Sequence, residues 1–411
     1  MTATALQQEE HLPEAIVCKW CGKSFHYLKS HISMGRCENI PESAKGLDVD
    51  EVVKMYTSAF PDEPTISRTA LAKLNEKRAE KNSCEGKVAE ISAHPGYAGT
   101  VEYKTELVAA HELLGVTIKE LGTPRGKPLQ VTVNVNTPYP EFVPEAKKNY
   151  VYGDFDLIKD IFMMLEIGIP GYLWGHAGTG KSSLPTQLCA LLNRPLIRAQ
   201  HTASMEEAHV TGQILARDGS TYFEPGLLAL AMKNGWVYLA DEYDFAFPQI
   251  LGVYQPVLEG ESLIIKEATA DWRRITPHKR FAFIGTGNTN GSGDETGLYQ
   301  GTNIQNAANF SRFGIVSNVK YMSTKAEVNM LAEAGVIREY AEKMVKFANL
   351  IREGYEKHQI SQPIGPRELL LSAKIGMMRG DFSAGIEKSF INKLPSTSAQ
   401  AAREVVQKIF G

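Results

Sequence analysis

No stretch of this sequence comes near the roughly 18 uninterrupted apolar residues that a membrane-spanning helix needs, so no membrane span is expected. The first residues, MTATALQQEEHLPEA, are polar and acidic and lack the basic and apolar segments of a secretory signal. Neither sign of charge dominates: 44 Lys and Arg face 47 Asp and Glu, and a net charge of −3 argues neither for a histone-like binder nor for a membrane-surface protein. Internal repeats and low-complexity tracts are missing. Cysteine is scarce, with five residues, Cys18, Cys21, Cys37, Cys84 and Cys189. An odd number with three crowded between 18 and 37 does not suit a disulfide framework; it suits metal ligation in a reducing compartment. A cytoplasmic location is expected.

What is present reads as a soluble globular chain, 43% hydrophobic and 22% charged, long enough at 411 residues for two or three domains. The text divides into residues 1–45, which hold the cysteine cluster, and 46–145, a charged helical stretch followed by Pro- and Gly-punctuated connector. HPGYAG and GTPRGKP interrupt that connector, and the alternating LQVTVNV suggests one hairpin in it. Over residues 146–321 short apolar strands alternate with helical segments, the pattern a parallel α/β sheet demands. From 322 to 411 the chain reads as helical.

Gly175-His176-Ala177-Gly178-Thr179-Gly180-Lys181-Ser182 fits G-x-x-x-x-G-K-[ST], with an apolar strand (GYLW, 171–174) before it and a helical segment from Ser182 and Ser183 after it. The glycines let backbone N–H groups close around phosphate oxygens at a helix N-terminus. Lys181 is expected to reach the β- and γ-phosphates and Ser182 to ligate Mg²⁺. His176 reads as filler within the loop. Sixty residues on, the strand GWVYLADE ends in Asp241, suited to the Mg²⁺ shell, and Glu242, suited to activating the attacking water. A third strand, Phe281 to Ile284, opens the Gly- and Thr-rich GTGNTNGSGDETGLYQGT. Its tip beside the other two would bring an amide to the γ-phosphate; Asn288 is the choice for that role and Asn290 the rival.

These motifs, GHAGTGKSS, LADEYDFAFP, GTGNTNGSGDETGLYQGT and NFSRFGIV, resemble the AAA+ ATPases of the MoxR branch, and within it the cobaltochelatase small-subunit (CobS-type) proteins, over roughly 150–380. The resemblance implies an AAA+ P-loop NTPase fold, a parallel sheet flanked by helices with a C-terminal helical lid. It implies ATP and Mg²⁺ as cofactors and a ring, commonly a hexamer, with ATP between neighbours. Arg312 in Ser311-Arg312-Phe313 matches the position that acts in the adjacent subunit's site, and Arg367 in Gly365-Pro366-Arg367-Glu368 matches the second sensor. Residues 212–226 look like the MoxR-branch β-hairpin that touches the client, with an Asp-Gly turn at 217–220. A partner with a von Willebrand factor A-type domain and a protein client are implied. The relatives do not generally carry some 145 residues ahead of the ATPase region, so the client of this chain can differ.

Ahead of that region, Cys18, Cys21, His31 and Cys37 form C-x2-C, nine residues, His, five residues, Cys, a set able to close a tetrahedral Zn²⁺ site. Phe25 and Leu28 would supply its small core, and His26 competes as a ligand. CKWCGKSFHYLKSHI resembles zinc fingers of the Ros/MucR type, from which Cys37 in place of a second His departs. Lys19, Lys23, Lys29 and Arg36 are candidates for contact with nucleic acid. Three functions follow: an ATP-driven ring that remodels a partner complex, such as a metal chelatase; a zinc-finger-guided ATPase on nucleic acid; and a nucleotide-switched scaffold. Intact Lys181, Asp241, Glu242 and Arg312 speak against the last.

Overall fold

The computed structural model describes residues 13–70 and 101–411, apart from 35, 46, 62 and 218. Cys84, most of the charged helical text, HPGYAG and Asp218 of the Asp-Gly turn lie outside the described residues. The chain forms two compact units divided at Ser92.

In the first unit, strands β1 (Ile16–Val17) and β2 (Ser24–Phe25) pair antiparallel around a tight knuckle. Gly22, at φ +70°, turns that knuckle, and its N–H donates to the Cys18 carbonyl at 2.8 Å. Helix α1 (Leu28–Ser33) buries Leu28, His31 and Ile32, while α2 (Val49–Ala59) buries Val52 and Tyr56 in the same small core as Phe25. Residues beyond 45, where the sequence suggested the module ends, thus pack with the knuckle. Tyr56 accepts a hydrogen bond from the Lys19 N–H at 3.0 Å, and Ile66 bridges to Tyr27, so the module runs on through residues the sequence left as connector. The knuckle alone has too few apolar side chains to close a core.

In the second unit, β3 (Thr105–Ala109) pairs antiparallel with β4 (Gln130–Asn134), with two short helices between them. Leu114, Leu121 and Val131 pack into one core with Leu157, Ile161 and Leu173. These residues, read from the sequence as connector, pack into the same core as the helices and strands that follow. There follow α3 (Phe155–Ile167), β5 (Gly171–Trp174), α4 (Ser183–Leu191), β6 (Leu196–Gln200), the hairpin β7 (Gly212–Arg217) and β8 (Ser220–Pro225), α5 (Leu227–Asn234) and β9 (Val237–Asp241). A two-residue pair, β10 (Leu263–Ile264) and β11 (Arg274–Ile275), precedes β12 (Ala282–Gly287) and β13 (Ile315–Asn318).

Five strands make one parallel sheet in the order β13-β5-β12-β9-β6. Its central strands are buried on both faces, as parallel sheets require. Alternation sorts their side chains: Val237 and Leu239 enter the core with α3 and α4, whereas Tyr238 and Ala240 enter the opposite core with Phe283 and Phe313. Helices α6 (Thr324–Glu333), α7 (Arg338–Glu356), α8 (Pro366–Arg379), α9 (Phe382–Ser389) and α10 (Ser396–Phe410) share a third core of their own. Among the described residues no helix is long and apolar enough to cross a membrane.

The expected third strand is longer than predicted. It continues to Gly287 because Gly285-Thr286-Gly287 pair in register with Tyr172-Leu173-Trp174, and a Cβ at Gly287 would strike the Tyr172 hydroxyl.

Candidate active site

Register places the strand tips together. Gly287 pairs with Trp174, Gly285 with Ala240, and Asp241 with Gln200, so Gly175, Asp241 and Asn288 leave the same edge of adjacent strands. Gly175, Gly178 and Gly180 adopt φ of +148°, +81° and +104°, which side-chain-bearing residues rarely tolerate. The N–H groups of Gly178, Gly180, Lys181 and Ser182 have no partner among the described residues. Donors in a concave loop at a helix start fit a polyphosphate.

Lys181 is buried, with Nζ 2.7 Å from the Gly175 carbonyl and 3.0 Å from Asn288 Oδ1. Burial lowers its pKa to about 8, against the opposing pull of Glu242, Asp244 and Asp241. Asn288 then donates through Nδ2 to Glu242 at 2.7 Å, so one amide joins the lysine to the carboxylate. Asn290 is turned away, its Oδ1 accepting from the Ser292 N–H at 3.2 Å. Glu242 sits at φ +55°, a left-handed conformation that costs a bulky residue energy and that clusters at functional sites. Burial raises its pKa, suiting a general base.

Asp241 Oδ1 accepts from Ser182 Oγ at 2.5 Å and from Thr286 Oγ1 at 2.6 Å, and Oδ2 from Arg198 Nε at 2.7 Å. Burial opposes its ionisation, but these donors hold the pKa below its ordinary value. A hydroxyl and an ionised carboxylate in contact are hard oxygen donors that fit Mg²⁺. Arg367 is exposed at the start of α8, where a Cβ on Gly178 would lie 3.3 Å from its own Cβ. Arg312 is not brought to this cluster. It pairs with Glu259 at 2.7 Å and also donates to the Ala308 carbonyl.

Several residues of the site were not foreseen. Arg198 is one. Asp244 is another: it is fully buried, accepts from the N–H groups of Asn288 (2.8 Å) and Thr289 (2.9 Å), and so fixes the strand exit. The doubled carboxylates of DEYD were its signal. His176 is not filler: its Nδ1 lies 2.8 Å from the Tyr299 hydroxyl, which also accepts from the Ala177 N–H at 3.1 Å.

In the first unit the ligand atoms of Cys18, Cys21, His31 and Cys37 all lie within 4.8 Å of one another. The Cys18 and Cys37 sulfurs are 3.8 Å apart, the edge of a tetrahedron with Zn–S bonds of about 2.3 Å. The donor set fits zinc. His26 is not part of it, being 3.1 Å from Ser67 Oγ. Lys19 pairs with Glu63 at 2.7 Å, Lys29 with Asp50 at 2.6 Å, and Lys23 with Glu38.

Fold and site together define an AAA ATPase. Residues 172–302 match the AAA domain (dynein-related subfamily) family. Over 249 residues the chain is 32% identical to the aerobic cobaltochelatase subunit CobS of Sinorhizobium sp, covering 58% of this chain and 74% of that protein. An uncharacterized protein of Staphylococcus aureus is 23% identical over 265 residues, 62% of this chain and 96% of its own length. A mutant of Thermotoga maritima RuvB is similar in structure with a TM-score of 0.40 at 14% identity, covering 64% of this chain and 73% of that one. The chain belongs to the AAA ATPase family that includes CobS.

Proposed function

We propose that this chain is the ATP-hydrolysing subunit of a ring, hexameric as in related AAA+ motors, that remodels a partner protein complex. The observation that carries the reading is the unbroken hydrogen-bonded line from Lys181 through Asn288 to Glu242, beside the Ser182–Asp241 pair. Bound ATP·Mg²⁺ supplies the phosphoanhydride and the Lewis acid. Lys181 and the loop amides grip the phosphates, and Ser182 and Asp241 hold the metal. Asn288 aims the Glu242 carboxylate, and Glu242 takes the proton of the attacking water. Arg312, on the outside of its own site, neutralises charge in the next subunit's site. Arg367 contacts the phosphates from the lid.

The likeness to a cobaltochelatase subunit supports a chelatase-type client, a complex into which a metal is inserted; the proposal adds a partner with a von Willebrand factor A-type domain, which the motif resemblance implies. Cys18, Cys21, His31 and Cys37 bind a structural Zn²⁺. The competing reading, an ATPase guided to nucleic acid by the finger, is disfavoured because Lys19, Lys23 and Lys29 are each neutralised by a carboxylate.

The test is ATP turnover by the purified chain with Mg²⁺, with and without duplex or single-stranded DNA, alongside recovery of partners on the Glu242→Gln protein held with ATP. Hydrolysis indifferent to DNA, with a von Willebrand-type protein recovered, is expected. Strong DNA stimulation moves the function to nucleic acid, and no hydrolysis under any condition ends the proposal.

A further inference from the structure

His176 reaches three other parts of the second unit. Its Nδ1 meets the Tyr299 hydroxyl of the exit loop at 2.8 Å. Its ring stacks on Tyr321, in the segment joining β13 to α6, with centroids 5.8 Å apart and planes 3° from parallel. It also meets the Tyr355 ring of α7 edge-on at 5.7 Å. Tyr321 in turn carries the Arg352 guanidinium 4.0 Å from its ring centroid. Arg352 is held rigidly, by two bonds to the buried Glu327 carboxylate at 2.7 and 2.8 Å and by one from Nε to the Ile364 carbonyl at 3.0 Å.

Ile364 precedes Gly365-Pro366-Arg367, and there the chain returns to the phosphate loop. A Cβ on Gly365 would lie 2.8 Å from the Ala177 carbonyl oxygen. The contacts close a circuit from the phosphate loop through His176, Tyr321 and Arg352 to the residues that begin α8, and back to the loop. Nothing in hydrolysis requires a histidine side chain at position 176. A circuit of planar groups, stacked and doubly hydrogen-bonded, holds its members in one relative placement because sliding any one breaks two contacts.

We infer that His176 is a positioning residue, which through Tyr321 and Arg352 registers the helical lid on the phosphate loop and so sets Arg367 over the triphosphate site. This rests on the ATPase reading above. A lid already registered spares the nucleotide the work of closing it. With the register loosened, apparent affinity falls in proportion to the fraction of molecules whose lid is in place. A histidine that merely filled space would cost stability and leave affinity alone.

The experiment uses the full chain. Affinity for a fluorescent ADP analogue with Mg²⁺ is measured together with kcat and KM for ATP. His176→Ala is expected to weaken analogue binding and raise KM by about tenfold, while kcat moves by less than about twofold. His176→Phe keeps the stack and restores most of the affinity; His176→Asn keeps a polar partner for Tyr299 and does not. Tyr321→Leu reproduces the loss, and the double variant His176→Ala/Tyr321→Leu is no worse than either alone, as members of one circuit should behave. Affinity within about twofold of wild type in both single variants overturns the inference. So does rescue by Asn equal to that by Phe. Should His176→Ala fail to fold, the Asn, Phe and Tyr321→Leu proteins decide. A wild-type chain that binds nucleotide without turning it over refutes the hydrolytic reading, yet its affinities still test the circuit. One that binds no nucleotide overturns both.

Discussion

Replacing Arg312 by alanine separates a surface ion pair from a group that acts across a subunit boundary. The Arg312 side chain keeps 24% of its exposure and its partner Glu259 keeps 50%, so the pair is solvent-screened. Such pairs contribute about 0–1 kcal/mol. For a domain of this size that is at most about 4 °C in melting temperature. Loss of a transition-state arginine in trans costs about 10³–10⁵ in turnover, or some 4–7 kcal/mol at about 1.4 kcal/mol per decade. The two magnitudes do not overlap. The Arg312→Ala protein should therefore melt near wild type and bind nucleotide normally while hydrolysing ATP at background rate, read by differential scanning fluorimetry, analogue binding and phosphate release. Mixed in equal amounts with Lys181→Ala protein, about a quarter of the sites in a randomly assembled head-to-tail ring regain both groups. A rate within tenfold of wild type for the single variant, or no recovery in rings shown to be mixed, refutes action in the neighbouring site.

Other outcomes follow from the same geometry. Glu242→Gln should retain ATP while turnover drops by about 10²–10⁴, measured as stoichiometric ATP on the isolated ring; brisk turnover would put the base elsewhere. Lys181 binds phosphate as the ammonium form and burial lowers its pKa to about 8, so the alkaline limb of kcat/KM should fall as pH rises through that value. A profile flat from pH 7 to about 9.5 would count against a buried, titrating Lys181. Cys37→Ser, or a strong chelator, should release stoichiometric zinc and open residues 13–70 to protease, since structural zinc contributes about 10–16 kcal/mol to folding such modules. Unchanged protease resistance with no metal bound would show that the small core suffices alone.

The sequence determined what depends on local spacing and residue type. The phosphate loop, the Asp241-Glu242 strand end and the cysteine knuckle are legible because phosphate and metal chemistry need particular residues at fixed separations. Apolar runs bounded by turn residues marked three of the five strands of the parallel sheet, β5, β9 and β12, whereas β6 and β13 were not read from the sequence. Only the tertiary structure decided which distant residues complete those motifs. Arg198 and Thr286 reach the site because strand register, set by the two buried faces of the sheet, brings their backbones alongside, and Asp244 reaches it from the turn that follows β9. Tyr56 finishes the core of the cysteine-knuckle unit, and Val131 that of the parallel-sheet unit, from text that read as connector, because small apolar patches cannot close without covers drawn from elsewhere in the chain. His176 read as filler for a like reason: a stack on Tyr321 and a bond to Tyr299 leave no periodicity in sequence and exist only once the lid folds back over the loop.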